Sequence, residues 1–404
     1  SGGRSVEVFG EREAPYTGEL ASPKFTRPLV DTPQTIQVIG SDLFNEQGAT
    51  TLAEALRNSP GVGTFYAGEN GNTTTGDTVF IRGFDSMTDT FVDGVRDLGS
   101  VSRDVFNIEQ LEVTKGPAGT DNGRTAPTGA INMVSKRARL GDAASANLSW
   151  GTAGYLRGTA DWNRSLGDSS AFRLNVMAQD GGVAGRDVVE RQRWGVAPAL
   201  AFGLGTSTRT YLNLLHVQQD NIPDGGVPTI GLPGYSSPDP ARPQIGDAPA
   251  VDPSNFYGTL SDHDDVAIDM ATLRIEHDFE NGASLQNTSR WGRNEQDYLL
   301  TAFMLSADPA RFITPDIDDP STWEVARSLP TFKDQRNTIL TNQTNLRMHF
   351  GDAGGVQHDL SAGVEFTREE LQTRGQSALG DSAWPYANLY APDPDVTGMA
   401  WAHD

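Results

Sequence analysis

The 404-residue sequence contains no cysteine. That excludes a disulfide framework, thiolate metal sites and cysteine nucleophiles, and it fits a chain that crosses an oxidising compartment without mispairing. Cations are scarce: 31 Lys+Arg against 53 Asp+Glu leave a net charge of -22. A general nucleic-acid binder needs clustered Lys and Arg against phosphate, so that class is excluded, and an anionic ligand would need a local basic patch. No run approaches the ~18 to 20 apolar residues of a spanning helix, and only 37% of residues are hydrophobic. What remains is a soluble protein or one that spans with strands apolar on one face. Catalytic motifs are missing too. The six His residues show no metal-ligand spacing, Asp262-His263-Asp264-Asp265 reads as a solvated loop, and zinc hydrolysis is disfavoured. Gly61-Val-Gly63 and Gly116-Pro-Ala-Gly119 fall short of phosphate-binding loops, and no Gly-x-Ser-x-Gly elbow occurs.

What is present divides into three textures; at ~150 residues per domain the length allows two to three domains. Residues 1–30 are polar and Gly/Pro-punctuated, with one β-prone patch at Val6-Glu7-Val8-Phe9, and read as a flexible arm. The opening Ser1-Gly2-Gly3-Arg4 is not a signal peptide and reads as a trimmed mature end. Residues 31–140 alternate short apolar runs (Thr35 to Ile39, Val79 to Ile81, Thr90 to Val92, Leu111 to Thr114, Ala130 to Val134) with Gly-rich turns, the pattern of a small α+β unit. A capping box at Thr51…Glu54 predicts a helix with Leu52, Ala55 and Leu56 on one face, stopped at Pro60-Gly61.

Residues 141–404 change to a period of two. Leu148 and Trp150 alternate with Asn147 and Ser149; Phe172, Leu174 and Val176 with Arg173 and Asn175; Leu360, Val364 and Phe366 with Ser361 and Glu365. About nine such segments of ~10 residues or more are expected, joined by short turns (Gly167-Asp168, Asn281-Gly282, Gly354-Gly355) and by long loops near 220–262 and 303–330. Trp150, Trp162, Trp194 and Trp291 are expected near strand ends, as in an aromatic girdle. A soluble all-β sandwich or solenoid would alternate in the same way. Loops of this length favour the membrane barrel.

Six collinear motifs carry a resemblance: Asp31-Thr-Pro-Gln-Thr-Ile36, Leu52-Ala-Glu-Ala-Leu-Arg-Asn-Ser-Pro-Gly-Val62, Ile81-Arg-Gly-Phe84, Phe91-Val-Asp-Gly-Val95, Ile108-Glu-Gln-Leu-Glu-Val-Thr-Lys-Gly-Pro117 and Gly129-Ala-Ile-Asn-Met-Val-Ser-Lys136. Together they resemble the TonB-dependent outer-membrane receptors. Arg82-Gly-Phe-Asp85, Val95-Arg-Asp-Leu-Gly99 and Ser102-Arg-Asp-Val-Phe-Asn107 are most similar to catecholate siderophore receptors of the Fiu and PiuA type.

The resemblance implies a membrane β-barrel of about 22 antiparallel strands when complete, with an N-terminal α+β plug in its lumen; this chain would hold only part of that barrel. It implies no enzymatic activity, no covalently bound cofactor, and a ferric siderophore as transported ligand. Partners implied are TonB with ExbB/ExbD and the lipid and lipopolysaccharide of a Gram-negative outer membrane. Val6, Glu7, Val8, Phe9 and Gly10 correspond to the TonB box, and Arg82 and Lys115 to the basic pair that anchors the plug to barrel glutamates, expected beyond residue 404. Ligand capture is expected on loops 63–78, 85–89 and 97–103. There Tyr66, Arg96 and Arg103 offer the stacking face and cations that a ferric triscatecholate trianion needs, although a structural role in holding the loop fits each equally. Tyr235, Arg242, Phe256 and Tyr257 are the matching candidates in the long loops. The alternatives are a receptor for a hydroxamate siderophore, haem or cobalamin, haem being weakened by the absence of any His before His216, and a soluble secreted β-rich binding or hydrolytic protein.

Overall fold

The computed structural model describes residues 20–26, 28–65, 74–86, 89–117, 128–303, 305–327, 329–351, 355–379, 383–397 and 400–403. In the first part, Gly turns and β-branched runs give β1 (Thr35–Gly40), α1 (Ser41–Glu46), α2 (Leu52–Ala55), β2 (Val62–Phe65), β3 (Thr78–Ile81), β4 (Phe84–Asp85), β5 (Thr90–Val92), β6 (Val95–Arg96), β7 (Ile108–Lys115) and β8 (Gly129–Ser135). Five of these form a mixed sheet in the order β1-β7-β8-β5-β6, with β5 and β8 parallel, and β2-β3-β4 form a smaller one. The capping box is formed: the Thr51 hydroxyl accepts from the Glu54 backbone N–H, and the Glu54 carboxylate accepts from the Thr51 N–H. It seats Leu52, Ala55 and Leu56 in a core with Phe44, Ile81, Leu111 and Ile131. Residues 20–26 do not behave as a free arm. Leu20, Pro23 and Phe25 line a crevice between β7 and β8 on one side and Gln286, Gln343 and Asn345 of the strand-rich region that follows on the other, and Ala21 N–H donates to Glu112 at 2.6 Å.

The period-two region builds β9 (Ala143–Trp150), β10 (Leu156–Ser165), β11 (Ser170–Asp180), β12 (Glu190–Phe202), β13 (Thr208–Ile222), β14 (His263–Asp278), β15 (Ser284–Ala302), β16 (Phe312–Ile313), β17 (Glu324–Val325), β18 (Leu329–Gly351), β19 (Gln357–Arg374), β20 (Gln376–Ala378), β21 (Ala387–Asn388) and β22 (Trp401–His403). Nine of them pair antiparallel with their neighbours into one meander, β19-β18-β15-β14-β13-β12-β11-β10-β9. Among the described residues its ends, β9 and β19, have one open edge each, so the sheet is an arc of wall.

Burial along the arc is inverted relative to a soluble sheet. On one face Leu148, Trp162, Val176, Trp194, Leu273, Leu340 and Phe366 are exposed, Phe366 at 70%. On the other, Arg157, Arg173, Asn175, Arg193, Arg290, Asn294 and Gln343 are buried against the first domain, Arg290 at 3%. A soluble protein rarely leaves so broad an apolar face open while burying its arginines; a lipid-facing wall around a polar interior does both.

Two expectations need correction. Trp291 lies mid-strand in β15, because that strand runs to 19 residues. At ~3.3 Å per residue it spans about 60 Å, well over the ~25 Å apolar band of a barrel wall. Trp194 and Trp291 instead mark where the outer face turns charged, since Arg293, Glu295 and Asp297 follow on β15. The stretch Asp262 to Asp265 is not a solvated loop but leads into β14, which begins at His263: Asp262 accepts from Thr301 N–H, and Asp264 from Gln296.

Candidate functional site

Two loops of the first domain form its apex at the long-loop end of the wall, residues 74–77 and 97–103. They are packed without slack, since a Cβ on Gly76 would lie 1.6 Å from Ser100 O. Arg103 ties them together. Its Nε donates to Asp97 at 2.5 Å, its Nη1 to Val101 O and its Nη2 to Gly99 O, while Asp77 accepts from Arg103 N–H at 2.9 Å. The guanidinium sits 3.8 Å from the Asp77 carboxylate but much closer to Asp97. Burial therefore dominates at Asp77 and pushes its carboxyl up to about 6, although Arg103 favours the charged form. The wall holds the apex through three neutral bonds, Gln219 to Ser102 O, Asn294 to Leu98 O and Gln296 to Thr75, and one charge-assisted bond from the Lys333 ammonium to Ser100 Oγ at 2.6 Å.

Below the apex, beside an apolar patch where Val101 and Phe106 meet Met177, Val217 and Ile268, the seam is ionic, and its most buried pairs set an acid of the first domain against an arginine of the wall. Asp104, with a fully buried side chain, accepts from both Nη atoms of Arg157 at 2.8 Å, and Arg193 approaches at 3.5 Å. Asp93 takes Arg290 at 3.0 Å, and Arg290 also donates to Val92 O. Burial pushes the Asp93 carboxyl up, but Arg290, Arg274 and Arg137 together outweigh it and hold it below the usual carboxylate range. Arg173 bridges Glu109 to Asp161 at 3.1 and 2.6 Å. Sequence reading missed these pairs, whose partners lie far apart in the chain. The signal was present, however: Arg157, Arg173, Arg193 and Arg290 all fall on inward positions of the two-residue alternation.

The expected basic pair is brought together. Arg82, at φ 52° in the β3–β4 turn, and Lys115, at the end of β7, are close enough that Lys115 is held below its ordinary range, first by burial and then by Arg82. Lys115 donates to Gln37 at 2.9 Å. Arg96 crosses the seam to Glu369 on β19 at 3.1 Å, and Arg103 is buried within the apex, so the geometry gives both a holding role. Tyr66 and the stretch Val6, Glu7, Val8, Phe9 and Gly10 lie outside the described residues.

The long-loop candidates are packed inward. Tyr257 joins Ile230, Ile245, Phe312, Trp323 and Leu389 in a second apolar core that binds residues 223–262, 305–327 and 383–397 into one cap. Phe256 is 3% exposed, and the Tyr257 hydroxyl donates to Leu389 O at 2.5 Å. Arg242 binds Asp239 and Phe312 O and lies over the Phe312 ring at 5.6 Å. Tyr235 packs against the same core. Their work is to hold the cap, so they are not an open ligand surface. Among the described residues no group of three or more His, Asp or Glu is placed to hold a metal ion.

Comparison with known proteins gives this geometry a family. The TonB-dependent Receptor Plug Domain matches residues 28–130. The Catecholate siderophore receptor Fiu of Escherichia coli (strain K12) is 51% identical over 378 residues, 94% of this chain and 49% of its own. The crystal structure of the closed form of Fiu superposes with a TM-score of 0.88 at 50% identity, covering 95% of this chain and 53% of that one. The structure of the siderophore receptor PiuA of Acinetobacter baumannii superposes with a TM-score of 0.82 at 30% identity, over 96% and 55%. The chain spans about half the length of the curated relatives it matches. Apex, ionic seam and inverted wall are thus a plug against its barrel, and the chain belongs to the TonB-dependent receptor family, as part of a membrane β-barrel with its plug.

Proposed function

We propose that the full-length protein is an outer-membrane importer of a ferric siderophore of the catecholate class, driven by TonB with ExbB/ExbD, in a Gram-negative bacterium. The similarity to Fiu over 94% of the chain carries this reading. The physical arrangement supports it: apart from the apolar patch of Val101 and Phe106 against Met177, Val217 and Ile268, plug and wall are joined by hydrogen bonds and ion pairs, and a wet lumen re-solvates each polar group that a rearrangement exposes. The proposed division is an arm at 1–30 with the TonB box at Val6 to Gly10, a plug at 31–140 and barrel wall from 141. Arg82 and Lys115 are proposed to meet barrel carboxylates outside this chain. On the plug, Tyr66 is proposed as a ligand contact, and Arg96 and Arg103 as the residues that hold the surface beneath it in place. The siderophore satisfies its own iron, so the protein supplies cations and ring faces, not metal ligands.

The test is binding of ferric catecholate and ferric hydroxamate complexes to the full-length receptor in detergent, together with iron uptake by cells. Tight binding of the catecholate alone, with uptake abolished but binding retained on deletion of Val6 to Gly10, is the expected outcome. Uptake that persists in the deletion strain would refute the TonB-box assignment. Preference for the hydroxamate would refute the cargo class.

A further inference from the structure

The inward face of a barrel wall is wet, and on β11 to β14 many inward positions are accordingly polar, among them Arg173, Asn175, Gln179, Arg193, Gln219 and Arg274. Met177, Val217 and Ile268 break that pattern. The strand register sets them in one row, with Gly195 between Met177 and Val217. Ala197, Leu215 and Met270 widen the row into an apolar island on a polar surface, and the plug covers it with Val101 and Phe106. Gly195 makes the hollow: a Cβ there would lie 3.0 Å from two carbons of the Phe106 ring and 3.2 Å from Val217. A glycine inside a strand weakens it and marks a close approach, and here the ring is what approaches. Phe106 N–H donates at 3.0 Å to Asp104, the same carboxylate that takes Arg157 and Arg193, so the ring and the ion pair share one base.

We propose that Phe106, seated in the Gly195 hollow, is the positioning residue that sets the resting register of the plug in its barrel, and that a plug displaced during transport returns to register through this fit. The proposal rests on the architecture of plug and wall and not on the cargo. The ionic seam does not specify the register by itself, because its ions have alternative partners: Asp104 reaches guanidiniums on β10 and β12, and Arg173 serves both Glu109 and Asp161. Attraction between charges also falls off slowly with distance, whereas a ring drawn about 0.5–1 Å out of its hollow already loses roughly a quarter to a half of its contact energy. Charges therefore draw the plug to the wall, and the hollow decides where it stops. A displaced plug would also leave the island facing lumen water, which favours its return.

The experiment uses the full-length receptor in reconstituted vesicles. Spin labels on Glu46→Cys of α1 and Glu280→Cys of the turn between β14 and β15, both exposed, report one distance between plug and wall. A single narrow distance is expected when nothing else is changed. Phe106→Ala empties the hollow and Gly195→Val fills it from the wall side. Each is expected to broaden the distribution and shift its mean, and to cost cells lacking TonB their resistance to a bulky hydrophilic antibiotic, since a lumen of this size is closed only by its plug. The double variant refits a smaller side chain to a shallower hollow and is expected to recover both the distance and the resistance. Heat-modifiable migration on a gel verifies that each barrel is folded, and Phe106→Leu, which keeps the apolar contact without the ring, serves where Phe106→Ala does not fold. Unchanged distance and resistance in both single variants would overturn the proposal. A double variant as disturbed as the single ones would overturn it too, since Phe106 would then be ordinary plug packing and not a fit to Gly195.

Discussion

Asp104 shows most plainly how single side chains hold the plug, because its buried carboxylate neutralises guanidiniums from two wall strands. Replacing it with alanine leaves Arg157 and Arg193 buried and unpaired, a loss of about 3–5 kcal/mol. Asp104→Ala is therefore expected to lower the temperature at which the plug becomes protease-sensitive while the wall stays folded, and an unchanged cleavage profile would contradict that. Asp77 makes a second residue-scale test. Its folded pKa of about 6 lies above the ordinary carboxyl value of 3.8, so the folded state binds more protons between those limits. The stabilisation this group contributes is full below pH ~4 and is lost as pH rises through about 6, at most about 3 kcal/mol. Asp77→Asn should flatten the dependence of thermal midpoint on pH across that window; an unaltered slope would show that Asp77 titrates elsewhere.

At the scale of elements, what could be read from the sequence depended on the range of the interaction. The capping box at Thr51 and Glu54 is local, and Leu360, Val364 and Phe366 against Ser361 and Glu365 announce a two-faced strand by period alone. Nothing local announces that Arg96 meets Glu369, or that Tyr257 is buried under Leu389, since those contacts depend on how the strands are ordered and how loops pack on each other. Arg103 misled for a related reason: a cation in an apex loop resembles a ligand contact until its carboxylate partners, Asp97 and Asp77, are seen. The cap is the element-scale novelty. Trp323 is 1% exposed at its centre, so Trp323→Ala is expected to cost about 3–5 kcal/mol of cap stability. Cleavage within residues 223–262 by added protease should accelerate with heat-stable wall strands unaffected, and equal cleavage in wild type and variant would disprove a cooperative cap.

For the whole molecule, the consequence of the inverted wall is that its two faces respond oppositely to charge. Leu273 projects from the outer apolar face of β14, whereas Thr272 beside it faces the plug seam. Leu273→Arg is expected to destabilise the assembled receptor by about 2–4 kcal/mol if that site lies near the bilayer midplane, read as a lowered midpoint in reconstituted vesicles. The most direct test of the wall itself is quenching of tryptophan fluorescence by brominated lipids in the full-length receptor, with single tryptophans retained at Trp194, Trp291 or Trp323. Strong quenching at Trp194 and Trp291 and none at Trp323 is the predicted result. Equal or absent quenching at all three positions would contradict a lipid-facing wall enclosing a polar plug.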